Sequence, residues 1–406
     1  MTGISGADWS LMTPATALCP SRGKRVKGSG AHAVSSPLCT LRRVRVPLLA
    51  SIAGCLATVL YVAVVMPSGH FADDFAVNIW AAGRTYLDGS SPLPAPTVEA
   101  VFPSAASYPP IANVVTLPFA LPPVAESRLV WTFMLAGCVF AALKVQGVAD
   151  WRCYLAAFVS PAVVTGLAWG NVSLLLVLGL AFAWRWRNRP VAAGLAVGLL
   201  VALKLFLWPL VPWLWFTGRR RAALISVSAG VVFLLVPWAV IRFDRMTEYP
   251  RLLATITDVW GRLSVSLYAV LVNHGTPDLE AQVLLVILAL AGIAAIAAAR
   301  ERDATAFTLA VVVALLTTPV VWGHYFALLL VPTAILAPGF SWLWLLPLLS
   351  FAQLDIGATT GDFRARALAC TVALLTTAAV LLRTANVAPR SIEARQMAQR
   401  PEAARL

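Results

Sequence analysis

Charged residues are scarce in this chain of 406 residues, and their scarcity indicates its broad class. Asp, Glu, Lys and Arg make up 12% of the sequence, about half of their share in ordinary soluble domains. Hydrophobic residues make up 60%, and the mean hydropathy is +0.80. These values exclude an ordinary soluble protein and predict a polytopic integral membrane protein that is all-α.

Residues that bind metals or form disulfides are also sparse. The six cysteines, at positions 19, 39, 55, 138, 153 and 370, show no paired spacing of the kind found in zinc sites. Only one pair of acidic residues is adjacent, Asp73-Asp74, whereas a divalent cation normally collects several oxygen ligands. The sequence therefore predicts no metal, no other cofactor and no disulfide framework.

Basic residues exceed acidic ones, which gives a formal net charge of +13. The Lys and Arg residues fall in short clusters between apolar runs, as they do in the cytoplasmic loops of membrane proteins. Orientation in the membrane explains this pattern better than nucleic-acid binding does. We therefore expect membrane lipids, and no nucleic acid, among the partners.

The chain divides into two tails and one transmembrane domain. Residues 1–46 are rich in Ser, Gly, Pro, Ala and basic residues, and they predict a disordered cytoplasmic tail. The run 46–66 is long enough to span a bilayer, and the arginines before it place its start inside the cell. We expect the transmembrane domain to cover 47–383, with an outer loop at 67–125, and a second cytoplasmic tail at 384–406.

Further apolar runs predict the remaining membrane crossings. The segment 111–121 is short and contains Pro118, so we interpret it as re-entrant or interfacial. Together with the first span, the long runs predict about twelve crossings. The candidates lie near 126–146, 153–168, 171–184, 190–204, 205–217, 222–241, 281–299, 304–320, 325–337, 340–354 and 364–383. This topology puts the arginine clusters and both termini in the cytoplasm and the Asp73-Asp74 segment outside.

The Asp73-Asp74 segment is the main candidate for chemistry in a chain that is otherwise mostly apolar. Phe75 to Leu87 has the apolar spacing of an amphipathic helix lying along the membrane surface. Asp74 has two interpretations: an N-cap of this helix, or a general base. Its position alone leaves both open.

Other polar residues are predicted at the same membrane face. Lys204 lies between strongly apolar stretches, where a lysine either has a functional partner, such as a phosphate, or extends its side chain to the interface. His324 is either a hydrogen-bonding site residue or a member of an interfacial aromatic belt with Trp322. Asn171, after Gly170, is commonly a helix cap.

In their order and spacing, these motifs resemble glycosyltransferase family 87, integral membrane mannosyltransferases of the GT-C superfamily. The resemblance covers about residues 70–335. It rests on four features: Asp74-Phe75 with the segment after it, Tyr108-Pro109-Pro110, Gly170-Asn171 followed by Lys204, and Pro319 with Trp322 and His324.

The resemblance implies a GT-C-like fold with an extracytoplasmic active site and interfacial helices in the outer loop. It implies transfer of a sugar, usually mannose, from a polyprenyl-phosphate donor to a cell-envelope lipid or glycan acceptor. Asp74 would be the base, with Asp73 as the alternative because the aspartate is doubled. The substrate-binding residues would be Lys204, His324, Asn171 and Tyr108.

A polytopic transporter or a flippase for lipid-linked sugars is the alternative function. Transporters often contain internal repeats and broken helices near the middle of the membrane. No convincing repeat relates the two halves of this chain, and the candidate polar residues collect at one face. We therefore expect a transferase.

Overall fold

The computed structural model of the protein describes residues 37–64, 70–101, 108–354 and 363–387. Every regular element in these ranges is a helix, which confirms the predicted all-α fold. Most of the two predicted tails, and the loop at 355–362, lie outside the described residues. Within the first tail there is a correction, because the first helix begins at Pro37, nine residues before the predicted boundary at residue 46.

The helices follow one another with short connections. In chain order the α-helices are α1 (Pro37–Val64), α2 (Asp73–Phe75), α3 (Ala82–Leu87), α4 (Val98–Val101), α5 (Ile111–Ala120), α6 (Val124–Val145), α7 (Trp151–Phe158), α8 (Pro161–Trp169), α9 (Ser173–Arg185), α10 (Pro190–Leu203), α11 (Leu210–Phe216), α12 (Arg220–Val240), α13 (Tyr249–Trp260), α14 (Leu267–Asn273), α15 (Asp278–Ala298), α16 (Asp303–Leu316), α17 (Leu330–Leu336) and α18 (Phe363–Val387). A π-helix covers Ala76–Ala81, and 3-10 helices cover Leu205–Leu207, Met246–Glu248, Gly323–Leu329 and Trp342–Leu354.

Five helices of the described chain are long and apolar enough to cross a membrane: α1, α6, α12, α15 and α18. The predicted span 153–168 is instead two helices, α7 and α8, bent by 59°; counted as one span, this pair is a sixth crossing. The bend has a local cause, since Pro161 cannot donate a backbone hydrogen bond and is suited to the first turn of a new helix. Shorter apolar helices occupy the other predicted spans, so twelve crossings remain a prediction.

Small residues allow α10 and α12 to pack closely, which positions the end of α10. A Cβ atom at Gly198 would lie 2.8 Å from the Ser226 carbonyl oxygen, and one at Gly194 would lie 2.6 Å from Ile225 Cβ. Glycines four residues apart therefore let the two backbones approach, as in other membrane helix pairs. Lys204 follows directly at the C-cap of α10.

The predicted surface helix 75–87 is a nearly continuous helical segment of three parts: α2, the π-helix and α3. It is attached to the chain between α5 and α6, because Trp80 Nε1 donates to the Pro122 carbonyl (2.9 Å) and Arg84 donates to the Leu121 carbonyl (2.9 Å). Single π turns inside helices occur often at functional sites. Here the π turn contains Asn78, one turn after Asp74.

A cluster of charges joins the opposite ends of several helices. Asp303, at the start of α16, accepts hydrogen bonds from Arg187 (2.6 Å), from Arg219 (2.7 Å) and from Trp213 Nε1 (3.0 Å). α16 then runs from this cluster to Thr317, which lines one of the cavities described below. Arg187 and Arg219 belong to the arginine clusters that were predicted to be cytoplasmic. They therefore lie at the end of α16 that is opposite to Thr317.

Candidate active site

The position of Asp74 depends on a close approach between the start of α2 and the end of α8. Ala72 has a left-handed backbone (φ 53°), is fully buried, and donates its N–H to the Ala168 carbonyl (2.8 Å). Gly170 is also left-handed (φ 66°), and a Cβ atom there would lie 2.9 Å from Phe75 Cβ. Glycine is thus required at position 170 for two reasons: the left-handed backbone of the turn after α8, and the close approach of Phe75 to this turn.

The Asp74 carboxylate is held by two amide side chains. Asn78 Nδ2 donates to one carboxylate oxygen and Asn171 Nδ2 donates to the other. The N-cap residue of α2 is Ala72, so the interpretation of Asp74 as an N-cap is wrong. Its carboxylate is instead directed to side chains from its own helix and from the turn after α8.

The Asn171 amide is itself oriented by the start of α9. Its Oδ1 accepts from the Ser173 N–H (2.9 Å) and from Ser173 Oγ (2.6 Å). The amide nitrogen must then face the other way, where it donates to Asp74 and to the Tyr108 hydroxyl (3.3 Å). The N-cap residue of α9 is Val172, so the expectation that Asn171 is the helix cap is wrong. The Asn171 side chain instead bonds Ser173, the first residue of α9, and links Asp74 to Tyr108.

Burial raises the pKa of the Asp74 carboxyl above its ordinary value, because an apolar environment disfavours the charged form. The positive charge of Lys204 and the hydrogen bonds from Asn78 and Asn171 act in the opposite direction. A raised pKa in a cleft, with a specific charged group nearby, is typical of a residue that takes up a proton.

Lys204 lies among tyrosines. Its Nζ donates to the Tyr325 hydroxyl (2.7 Å) and lies over the Tyr108 ring, 4.2 Å from the ring centroid. Among the described residues, its ammonium group forms no ion pair with a carboxylate. The lysine therefore offers a positive charge, held by aromatic rings, to an anionic ligand.

Asp73 has different partners from its neighbour. One carboxylate oxygen accepts from Arg128 Nη2 (2.9 Å), and the other lies 2.7 Å from His70 Nδ1. The contact with Arg128 attaches the start of α2 to α6. Asp73 is thus engaged by two basic side chains, whereas Asp74 is engaged by two neutral amides.

His324 is buried beside Tyr325, with 5.1 Å between the ring centroids. Its Nε2 atom is fully buried and has no hydrogen-bond partner in the described part of the chain. A buried polar atom without a partner is costly, so such an atom beside a cavity indicates a ligand contact.

Two cavities meet at Asp74. The larger has a volume of about 470 Å³, and the smaller about 330 Å³. The larger is lined by His324, Asp73, His70, Arg366, Trp169 and Trp260 among others, and the smaller by Lys204, Tyr108, Tyr325, Phe206, Thr317 and Thr318 among others. Asp74, Asn171 and Trp322 line both.

The folded chain thus brings all six candidate residues to one pair of adjoining cavities. Lys204 and Tyr108 belong to the smaller cavity, while His324 and Asp73 belong to the larger. Lys204 and His324, both expected to bind substrate, therefore line different cavities. No group of three or more His, Cys, Asp or Glu side chains suited to a metal ion occurs among the residues that the structure describes.

Sequence reasoning did not select Asn78 or Arg128 as site residues. The signal for Asn78 was available, because a polar residue four positions after Asp74 lies on the same face of a helix. Arg128 is 55 positions from Asp73 in the chain, and no local pattern connects them.

Comparison with known proteins gives a match over the part of the chain that contains several of these site residues. Residues 107–321, more than half of the chain, match the family model described as "Glycosyltransferase family 87". This range contains Tyr108, Asn171 and Lys204, whereas Asp74 and His324 lie outside it and join them through the fold.

A curated relative in Mycolicibacterium smegmatis is named polyprenol-phosphate-mannose-dependent alpha-(1-2)-phosphatidylinositol pentamannoside mannosyltransferase. It is 28% identical over 207 residues, which cover 47% of this chain and 48% of the relative, so the match spans about half the length of each protein. No solved structure gives a significant match. The extent of the family match shows that this membrane protein belongs to glycosyltransferase family 87.

Proposed function

We propose that this glycosyltransferase moves mannose from a polyprenyl-phosphate donor to a cell-envelope lipid or glycan acceptor, at the extracytoplasmic face of the cell membrane. The observation that carries the proposal is the position of Asp74 between two cavities, of which the smaller holds the ammonium group of Lys204. A donor and an acceptor can then approach one carboxylate from two sides. The name of the curated relative supports the choice of donor.

The donor phosphate is assigned to the smaller cavity. Lys204 supplies a positive charge there, and the hydroxyl groups of Tyr108 and Tyr325 supply hydrogen bonds. Apolar side chains in the same wall, such as Phe206 and Ile256, suit the first isoprene units of a lipid. The acceptor is assigned to the larger cavity, where His324 Nε2 is available to bond a hydroxyl group.

The proposed reaction is a single displacement at the anomeric carbon. The acceptor oxygen forms the new bond to this carbon, while the bond from the carbon to the phosphate oxygen breaks and its electron pair leaves with the phosphate. Asp74 takes the proton of the acceptor hydroxyl, and Lys204 stabilises the charge of the departing phosphate. The leaving phosphate is already anionic, so protonation by a second acid is less necessary than at an ordinary glycosidic bond.

The partners of the two aspartates favour Asp74 as the base. Asp73 is paired with Arg128 and His70, so both of its carboxylate oxygens are already engaged by basic side chains. Asp74 has only amide donors, and its pKa is raised by burial. A raised pKa makes a carboxylate a stronger base near neutral pH.

The positions of the arginines support an extracytoplasmic site with both termini in the cytoplasm. Arg187 and Arg219 meet Asp303 at the helix ends remote from Asp74. Since cytoplasmic loops carry an excess of basic residues, the cavities lie at the opposite face.

The function is tested with purified protein in lipid vesicles that contain polyprenyl-phosphate-mannose and a panel of envelope glycolipids. We expect label to move from the lipid donor to an acceptor, and we expect no transfer from a nucleotide-linked mannose. Lys204→Arg, which keeps the charge, is the matched control for Lys204→Met. Transfer from the nucleotide donor, or equal donor dependence in both Lys204 variants, would contradict the proposal.

A further inference from the structure

One of the three side chains shared by the two cavities has no role so far. Asp74 and Asn171 form the hydrogen-bonded base, and the third shared residue is Trp322. An aromatic ring at the boundary between two substrate cavities lies close to the place where the substrates meet. The Trp322 ring is therefore in a position to affect the reaction.

The backbone around Trp322 is held firmly. The residue before it, Val321, accepts the Val265 N–H (2.8 Å), and the Trp322 carbonyl accepts the Tyr325 N–H (2.9 Å) at the start of a 3-10 helix. The indole meets the Trp260 ring edge to face, with 5.8 Å between the centroids. These contacts fix the indole while leaving it half-buried, with surface towards both cavities.

The sugar in transit must occupy this boundary. Its anomeric carbon is bonded to the phosphate beside Lys204 before the reaction and to the acceptor oxygen beside Asp74 after it. In the transition state the sugar ring carries positive charge, because the bond to phosphate is largely broken before the new bond is fully formed. The face of an indole attracts positive charge more strongly than any other aromatic side chain does.

We propose that Trp322 contacts the transferred sugar, with its indole face against the pyranose ring, and stabilises the positive charge that develops there. This inference rests on the proposed function and adds a substrate-contacting residue to it. A pyranose presents a face of C–H groups to an aromatic ring, so the same contact also orients the donor. The gain is larger in the transition state than in the bound donor, because only the former carries the charge.

The test compares Trp322→Phe with Trp322→Leu. Phenylalanine keeps an aromatic face, whereas leucine keeps only apolar volume. We expect Trp322→Leu to lower the kcat of transfer on the order of thirtyfold, and Trp322→Phe to lower it by less than about fivefold. The donor KM should change less than kcat in both variants.

Two controls separate this role from packing and from lipid binding. Trp215→Leu removes a half-exposed tryptophan outside both cavities, and it should leave kcat unchanged. Binding of polyprenyl phosphate without a sugar should be the same in wild type and in Trp322→Leu, since the indole is assigned to the sugar. Lys204→Met should weaken that binding.

Three results would overturn the inference. Equal kcat values for the Phe and Leu variants would mean that Trp322 only fills space. A loss of polyprenyl-phosphate binding in Trp322→Leu that matches its loss of kcat would place the indole at the lipid. A wild-type protein that transfers sugar from no polyprenyl-phosphate donor would overturn the proposed function itself, which is a distinct outcome.

Discussion

Replacing Asp74 by asparagine is the most informative single change. The carboxylate accepts amide N–H groups from Asn78 and Asn171, and an asparagine turns its own NH₂ group towards one of these donors. Losing one hydrogen bond to a charged group should lower the free energy of unfolding by about 1.5–3 kcal/mol. Turnover should fall much further, by about two to four orders of magnitude, because an amide cannot take up the acceptor's proton.

The assay measures two quantities for each variant. Transfer of labelled mannose from polyprenyl-phosphate-mannose is followed in reconstituted vesicles, and thermal unfolding is followed in detergent. Asp73→Asn is the matched control, and we expect it to keep most of the activity because Asp73 contacts Arg128 and His70 at partly exposed positions.

A second variant separates folding from catalysis. Asp74→Asn combined with Asn78→Asp restores a carboxylate and an amide at the two positions, but moves the carboxylate one helical turn away. Thermal stability should recover in part, while turnover stays low. Turnover that recovers together with stability would refute Asp74 as the base, and so would near wild-type turnover in a folded Asp74→Asn protein.

The remaining predictions concern charge and topology. Lys204→Met should lower donor-limited turnover by about tenfold to a hundredfold in steady-state assays, since a charge-assisted bond is worth roughly 1.5–3 kcal/mol; an unchanged rate would remove Lys204 from the donor site. The same change removes a positive charge that lowers the pKa of Asp74, so in a pH–rate profile the acidic limb should move to higher pH, whereas Lys204→Arg should leave it in place. The topology is tested in a chain without native cysteines. A cysteine replacing the exposed Ser90 should react with an impermeant reagent added outside intact cells, and one replacing Arg221 should react only after permeabilisation. The reverse result would place the site on the cytoplasmic face. Asp303→Asn should lower the free energy of unfolding by about 3 kcal/mol, because it leaves two largely buried arginines without their carboxylate; an unchanged melting temperature would contradict this.

Composition and local pattern were sufficient for the class of the fold. Hydrophobic runs demand helices in a membrane, because each backbone polar group must find its partner within the segment. The boundaries of α6 and α10 agree with the predicted spans to within two residues. The bend between α7 and α8 was missed although Pro161 was visible, since apolar content alone does not reveal where a span breaks.

The candidate site could be predicted as a set of residues but not as an arrangement. Asp74, Asn171 and Lys204 stand out locally because polar groups are rare and costly in an apolar chain. Their geometry depends on contacts between residues far apart in the chain. Asn171 and Asp74 are 97 positions apart, and Lys204 and Tyr325 are 121 positions apart.

Long-range packing determines the side-chain environments that the local pattern left open. Asp73 and Asp74 are chemically identical neighbours, and only the folded chain gives one of them basic partners and the other amide partners. It also separates Lys204 from His324 into two cavities and places Trp322 between them. The physical reason is that the environment of a side chain depends on its neighbours in space. The helical period within one segment does not specify those neighbours.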